Sequence, residues 1–170
     1  MWKLHAIETS INATEAVRQM ISSDIDADAA TVHAAEASAM ELFVGYGGPR
    51  DPHGPPLLRS ELDAFALETL NAAYRSKVRP PTFSVDTPPD IHWNSAHRGG
   101  NWIVHLNPSQ LSRWTVLHEM AHWLVPFDRH GEIFRTVHCR LVGAALGGFA
   151  REHLIRKYAK FGVPIEESQS

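Results

Sequence analysis

The residues best suited to chemistry in this chain lie between His118 and Phe134. The run His118-Glu119-Met120-Ala121-His122 sets two imidazoles four positions apart, with a carboxylate beside the first. On an α-helix such positions share a face one turn apart, so both rings can converge on one divalent ion. Glu119 then reaches water at the ion rather than the ion itself, which is the placement of a general base in metal-assisted hydrolysis. In a chain with 11 histidines the pattern needs support from its surroundings.

A catalytic zinc needs a third protein ligand and one open position. His130 follows His122 by eight residues and opens His130-Gly131-Glu132-Ile133-Phe134. Pro126 turns the chain after the His118–His122 helix, and Gly131 lets the backbone bend as the next helix begins, so His130 is the favoured third ligand. Asp128 is its rival, because carboxylates also bind zinc. His138, two helical turns past His130, either lines the cleft or packs.

The elements that must hold these residues can be read from periodicity. Residues 109–125 form an amphipathic helix capped by Ser109 or Ser112, with Trp114, Leu117, Ala121 and Leu124 on one stripe and Pro126 ending it. Helix resumes near Gly131, runs to about Leu146, breaks at Gly147-Gly148 and returns over Phe149–Lys160. Upstream, Thr82–Asp86 alternates like a short strand. Ile91–Ser95 and Asn101–Leu106 flank Arg98-Gly99-Gly100 as a hairpin, with Trp102–Leu106 the strongest strand. Residues 12–44 read mainly as helix, with Val32, Ala35, Ala39, Leu42 and Phe43 as a partial apolar stripe. A Gly/Pro-rich loop follows over 45–58. Residues 59–76 form another helix, with Leu62, Phe65, Ala66, Leu70 and Ala73 on one side and Ser60 as its cap.

His118-Glu-Met-Ala-His122, a loop, and then His130-Gly-x-x-Phe134 resemble the SprT-like zincin metallopeptidases, most closely small metallohydrolases of actinobacteria and their phages. The resemblance covers roughly residues 79–162. It implies Zn2+ held by His118, His122 and His130, Glu119 as the catalytic base, and Trp102–Leu106 as the edge strand beside the cleft. It also implies a zincin-like α+β fold: a small antiparallel sheet packed on the active helix, with N- and C-terminal helices on either side. The chain has one cysteine, Cys139, and so lacks the cysteine-rich zinc ribbon that many SprT-like proteins carry. A role in DNA repair is therefore not implied.

These readings lead to one domain over 1–170, with an N-terminal helical part (1–78) and a zincin-like core (79–162). The expected function is zinc-dependent hydrolysis of a peptide bond in a protein or peptide substrate. The alternative is a zinc-bearing regulatory or protein-binding module with little turnover. The oxyanion donor is left open among Arg98, Arg135, His138 and Tyr158, while His97 and His105 could approach the cleft from the hairpin. Trp93, Trp102, Trp114 and Trp123 are expected to pack in the core, and Cys139 to be buried and inert.

Composition narrows the setting. Net charge is −3, which argues against nucleic acid as the partner, although residues 129–161 carry 7 basic and 2 acidic side chains. A lone cysteine favours a reducing compartment. The first twelve residues lack a signal-peptide pattern and no 18-residue apolar run occurs, so the expectation is a cytoplasmic protein without a membrane span.

Overall fold

The computed structural model describes residues 29–43, 54–75, 79–85, 95–96, 103–108, 111–126 and 128–165. In chain order these form α1 (Ala29–Met40) with a 3-10 turn at Glu41–Phe43, α2 (Arg59–Tyr74), β1 (Thr82–Ser84), β2 (Ser95–Ala96), β3 (Ile103–His105), α3 (Arg113–Leu124), α4 (Glu132–Leu146) and α5 (Gly148–Lys160). The fold is α+β and mostly helical.

Helix α4 is the hub of the packing, touching α2, α3 and α5, while α1 lies on α5 and α3 also packs on β2 and β3. The arrangement follows from which faces are apolar. On α2, Leu62, Ala66 and Leu70 recur at helical spacing and are buried. Its start differs from expectation. The cap position is Leu58, whose N–H donates to Glu61 Oε2 at 2.7 Å, so Ser60 lies inside the helix. On α1, Val32, Ala35 and Ala39 form the buried stripe. Leu42, expected on that stripe, is exposed, because the chain tightens into the 3-10 turn and brings Phe43 inward instead. One hydrophobic core runs from Val32 to Val163 and draws on both the 1–78 and 79–162 segments.

The sheet departs from the antiparallel expectation. Its order is β1-β3-β2: β2 and β3 pair antiparallel, with Ser95 opposite His105, whereas β1 and β3 run parallel, with Thr82 opposite Ile103. The hairpin reading is correct for β2 and β3, and its Arg98-Gly99-Gly100 tip lies outside the described residues. The chain leaves β1, crosses to the far side, and returns through the middle. β3 is therefore paired on both sides and is not an edge strand. Alternation in the sequence marked β1 as a strand but carried no information on its direction.

Candidate metal centre

Helix α3 begins where Ser112 Oγ accepts the Thr115 N–H at 3.1 Å, which settles the choice of cap among the described residues. It is buried on several sides at once: Trp114, Leu117, Met120 and Ala121 enter the core, and His118 and Glu119 are buried with them. His118 and His122 lie one turn apart and their Nε2 atoms are 3.1 Å from each other.

The turn from α3 to α4 brings in the third ring. Asp128 N–H donates to Val125 O at 3.1 Å, and Arg129 takes a left-handed conformation at φ 41°. His130 is thereby folded back over α3, with its Nε2 at 3.2 Å from that of His122 and 3.4 Å from that of His118. Arg135 holds this geometry by donating from Nη1 to His130 O at 2.8 Å and from Nη2 to Pro164 O at 3.1 Å.

Asp128 is engaged elsewhere. Its Oδ2 accepts the Phe134 N–H at 2.6 Å, so the carboxylate satisfies the free N–H groups at the start of α4. Gly131 is needed for this approach, since a Cβ there would lie 2.5 Å from Asp128 Oδ1. Phe134, fully buried, is the floor beneath the three imidazoles, with ring centroids 4.3 Å from His122 and 5.0 Å from both His118 and His130. The glycine and the aromatic of the His130–Phe134 segment thus each have a physical task.

Three ring nitrogens this close cannot satisfy one another by hydrogen bonds. Each Nε2 either carries a proton or does not, so among three at least two are alike, and at least one contact sets donor against donor or acceptor against acceptor. A cation removes the conflict. Tetrahedral zinc with Zn–N of about 2.0–2.1 Å separates its ligand atoms by about 3.3–3.4 Å, close to the 3.1, 3.2 and 3.4 Å found here. The donor set fits a zinc ion.

The electrostatics agree. Burial first, and then the neighbouring His118, hold His122 well below the usual imidazole range, and the same causes bring His130 down to about 3. Both rings are accordingly neutral, the form that ligates metal. Burial also opposes charge on His118, but the Glu36 carboxylate outweighs it and raises His118 above its ordinary value.

Glu36 was not singled out by the sequence. It sits on the buried stripe of α1, between Ala35 and Ala39, and its Oε2 accepts from His118 Nδ1–H at 2.9 Å. This leaves the Nε2 lone pair of His118 facing the other two rings, as a carboxylate does when it orients a metal-binding histidine. Tyr158 O–H donates to Glu36 Oε1 at 2.7 Å, and His138 Nδ1 lies 3.0 Å from the Tyr158 oxygen and 3.2 Å from Glu36 Oε1. Despite burial, these partners keep Glu36 well below the usual carboxylate range. The missed signal was an acid on an otherwise apolar helix face.

Glu119 is buried beside His118, and its Oε2 has no hydrogen-bond partner among the described residues. Burial pushes its carboxyl up to about 7, against the pull of His118 and with the help of Glu36. His33, three residues before Glu36 on α1, is exposed, with its ring 4.6 Å from His130 and 5.3 Å from His118.

Two further groups among the described residues could hold a metal ion: His33–His118–His130, whose His33 is exposed, and the fully buried Glu36–His118–His138. The first shares His118 and His130 with the triangle, and its ligand atoms lie within 4.8 Å of one another, a looser bound than the triangle's 3.1–3.4 Å. In the second, the hydrogen bonds to Glu36 already satisfy the His118 and His138 Nδ1 atoms. The triangle is therefore the tighter candidate.

The remaining expectations divide clearly. His138 and Tyr158 belong to the Glu36 network, and Arg135 is committed to backbone carbonyls. Cys139 and Trp114 are buried, and Trp123 packs at the core margin. His97, Arg98, Trp93 and Trp102 lie outside the described residues. Comparisons with protein families, with curated proteins and with solved structures find no match for this chain.

Proposed function

We propose that the protein is a zinc-dependent metallohydrolase that cleaves peptide bonds. The observation that carries this reading is the triangle of His118, His122 and His130 nitrogens beside a buried, unpartnered Glu119 carboxylate oxygen. His118, His122 and His130 would hold the ion. When bound, zinc lowers the pKa of water from 15.7 to about 7 and polarises a carbonyl. Glu119 accepts the proton of the attacking water at its carboxylate and returns it to the leaving nitrogen. Glu36 holds the His118 ring in place, Phe134 sets the plane on which the three imidazoles rest, and Arg135 fixes the backbone of His130. The packing of α3 on the small sheet supports a zincin-like arrangement of SprT-like type.

One observation favours a second reading, a zinc-bearing binding module with little turnover. β3, the strand that the resemblance would offer to an extended substrate, has both sides occupied. A substrate would have to pair at β1 or β2, or dock without strand pairing. No helix of the described residues is long and apolar enough to cross a membrane. The single buried cysteine suits a reducing compartment such as the cytoplasm.

Two measurements test the proposal. Elemental analysis of protein purified without a metal-affinity tag is expected to give about one zinc per chain, as for a single three-ligand site. Cleavage of unfolded casein should be lost in Glu119→Gln while the zinc is kept. Zinc without Glu119-dependent cleavage would favour the binding module, and no zinc at all would refute both.

A further inference from the structure

The sequence left the donor to the substrate's carbonyl oxygen open, and the structure removes most candidates. Arg135 gives its terminal N–H groups to His130 O and Pro164 O. Tyr158 O–H points at Glu36, and His138 Nδ1 is held by the same pair. Each is buried and already engaged. Arg98 lies outside the described residues. Among the described side chains around the triangle, His33 is exposed, so it can meet a substrate, and it stands at the rim.

Its placement is close and fixed from below. A ring nitrogen of His33 lies within 4.8 Å of one each from His118 and His130. The centroid separation of 4.6 Å between His33 and His130 equals that between His122 and His130. His33 therefore packs around the site as closely as the rings of the triangle do. Its exposure suits contact with a bound molecule, and the three rings of the triangle already supply the protein ligands that a catalytic zinc needs. The position is anchored because Glu36, one helical turn on, is hydrogen-bonded to His118 and Tyr158.

We propose that His33 is a catalytic residue of this reaction: its imidazole N–H donates a hydrogen bond to the carbonyl oxygen of the scissile bond as negative charge develops there. The inference rests on the metallohydrolase reading. A neutral imidazole has one N–H to give, so the role needs no change of protonation. Donors aimed at developing charge typically contribute 10²–10³-fold in kcat.

Acetohydroxamate, a small oxygen-donor ligand for zinc, probes the site without a known substrate. Zinc content and acetohydroxamate affinity would be measured by elemental analysis and calorimetry for wild type, His33→Ala and His33→Gln. The expected result is unchanged zinc in all three. Affinity should fall roughly 10- to 100-fold in His33→Ala, the loss of one hydrogen bond to a charged group, and recover in part in His33→Gln, which keeps an N–H donor. Equal affinity in His33→Ala, or no binding to the zinc-loaded wild type, would overturn the proposal and leave the zinc site standing. Loss of zinc in His33→Ala would also overturn it, by making His33 a ligand. A wild type that holds no zinc would overturn the metallohydrolase reading and this inference together.

Discussion

Two regions build the centre in different ways. The segment from Arg113 to Leu146 carries the three histidines of the triangle within thirteen residues, and a helix turn plus one tight loop is enough to bring them together. Helix α1 contributes Glu36 and His33 from about eighty residues upstream, and only tertiary packing places them there. The first region supplies the groups that can hold an ion. The second orients one of those groups and borders the site. Local spacing can thus create a potential ligand set, but the buried hydrogen bonding that fixes its geometry comes from outside it. The division at residue 78 does not separate scaffold from site, because the site spans it.

The largest expected effect tests the local region. His130→Ala should reduce zinc content from about one per chain to near zero, whereas Asp128→Ala should retain it, since zinc sites depend on their full ligand set. Zinc kept in the first variant and lost in the second would return Asp128 to the role of third ligand and break the account given of the α3–α4 turn.

Glu36 tests the distant region. Glu36→Ala leaves Tyr158 Oη, His118 Nδ1 and His138 Nδ1 buried without their shared acceptor. Removing one partner of a buried charged network costs about 3–5 kcal/mol, and removing the group behind a ligating histidine lowers metal affinity roughly 10- to 100-fold. Urea unfolding and competitive zinc titration would measure the two effects. A variant that loses stability but binds zinc as tightly as wild type would make α1 a packing element only.

Legibility follows the same division. His118, Glu119, His122 and His130 could be read because their meaning lies in short spacings, and the ends of α4 and α5 because Gly131 and Gly147-Gly148 punctuate the chain. Glu36 could not be, because a lone acid in an Ala-rich helix resembles any solvated side chain until its partners are known. His33, a lone histidine on the same helix, carries no local signal for the same reason. The direction of β1 was also out of reach: strand pairing depends on how the chain crosses between β1 and β2, which no local pattern records. Asp128 looked like a ligand because its residue type permits it, but the N–H groups at the start of α4 claim it first.

A smaller effect is expected from pH on zinc-free protein. His122, His130 and His138 have folded pKa values below the 6.5 of the free side chain. Between pH 6.5 and 5 the unfolded chain takes up protons that the folded chain refuses, so stability should fall as pH falls. Each group contributes at most about 1.4 kcal/mol per pH unit, and the half-exposed His130 less, because solvent screens it. Two groups oppose this trend: His118, with its raised pKa, and Glu119, pushed up to about 7, hold protons in the folded state that the unfolded chain gives up, so each gains stability as pH falls. Glu36, with its depressed pKa, is ionised in both states over most of the window, and the expected net fall is the excess of the three depressed histidines over His118 and Glu119. Saturating zinc should protect the fold near neutral pH and lose its effect as protons displace it. Urea midpoints for zinc-free protein that do not change between pH 7 and 5 would contradict the burial of these rings.

The smallest effect isolates the α3–α4 turn. Gly131 has φ −65° and ψ −174°, a conformation open to alanine, so what requires glycine is the Asp128 carboxylate where a Cβ would stand. Gly131→Ala should therefore destabilise by about 1–3 kcal/mol, as overpacking does. Asp128→Ala alone should cost about 0.5–2 kcal/mol through the lost helix cap. The two should not add. With Asp128 removed, the clash disappears, and alanine at 131 gains from the reduced entropy of the unfolded chain, about 0.4–1 kcal/mol. A double-mutant cycle read by urea unfolding would then show a favourable coupling between the sites. Strict additivity would mean that Asp128 does not press on Gly131, and the explanation of the His130-Gly131 pair as a geometric necessity of the turn would fail. Coupling of the expected sign would show that the local region is held by its own sterics, in contrast to α1, whose contribution is transmitted through a buried carboxylate.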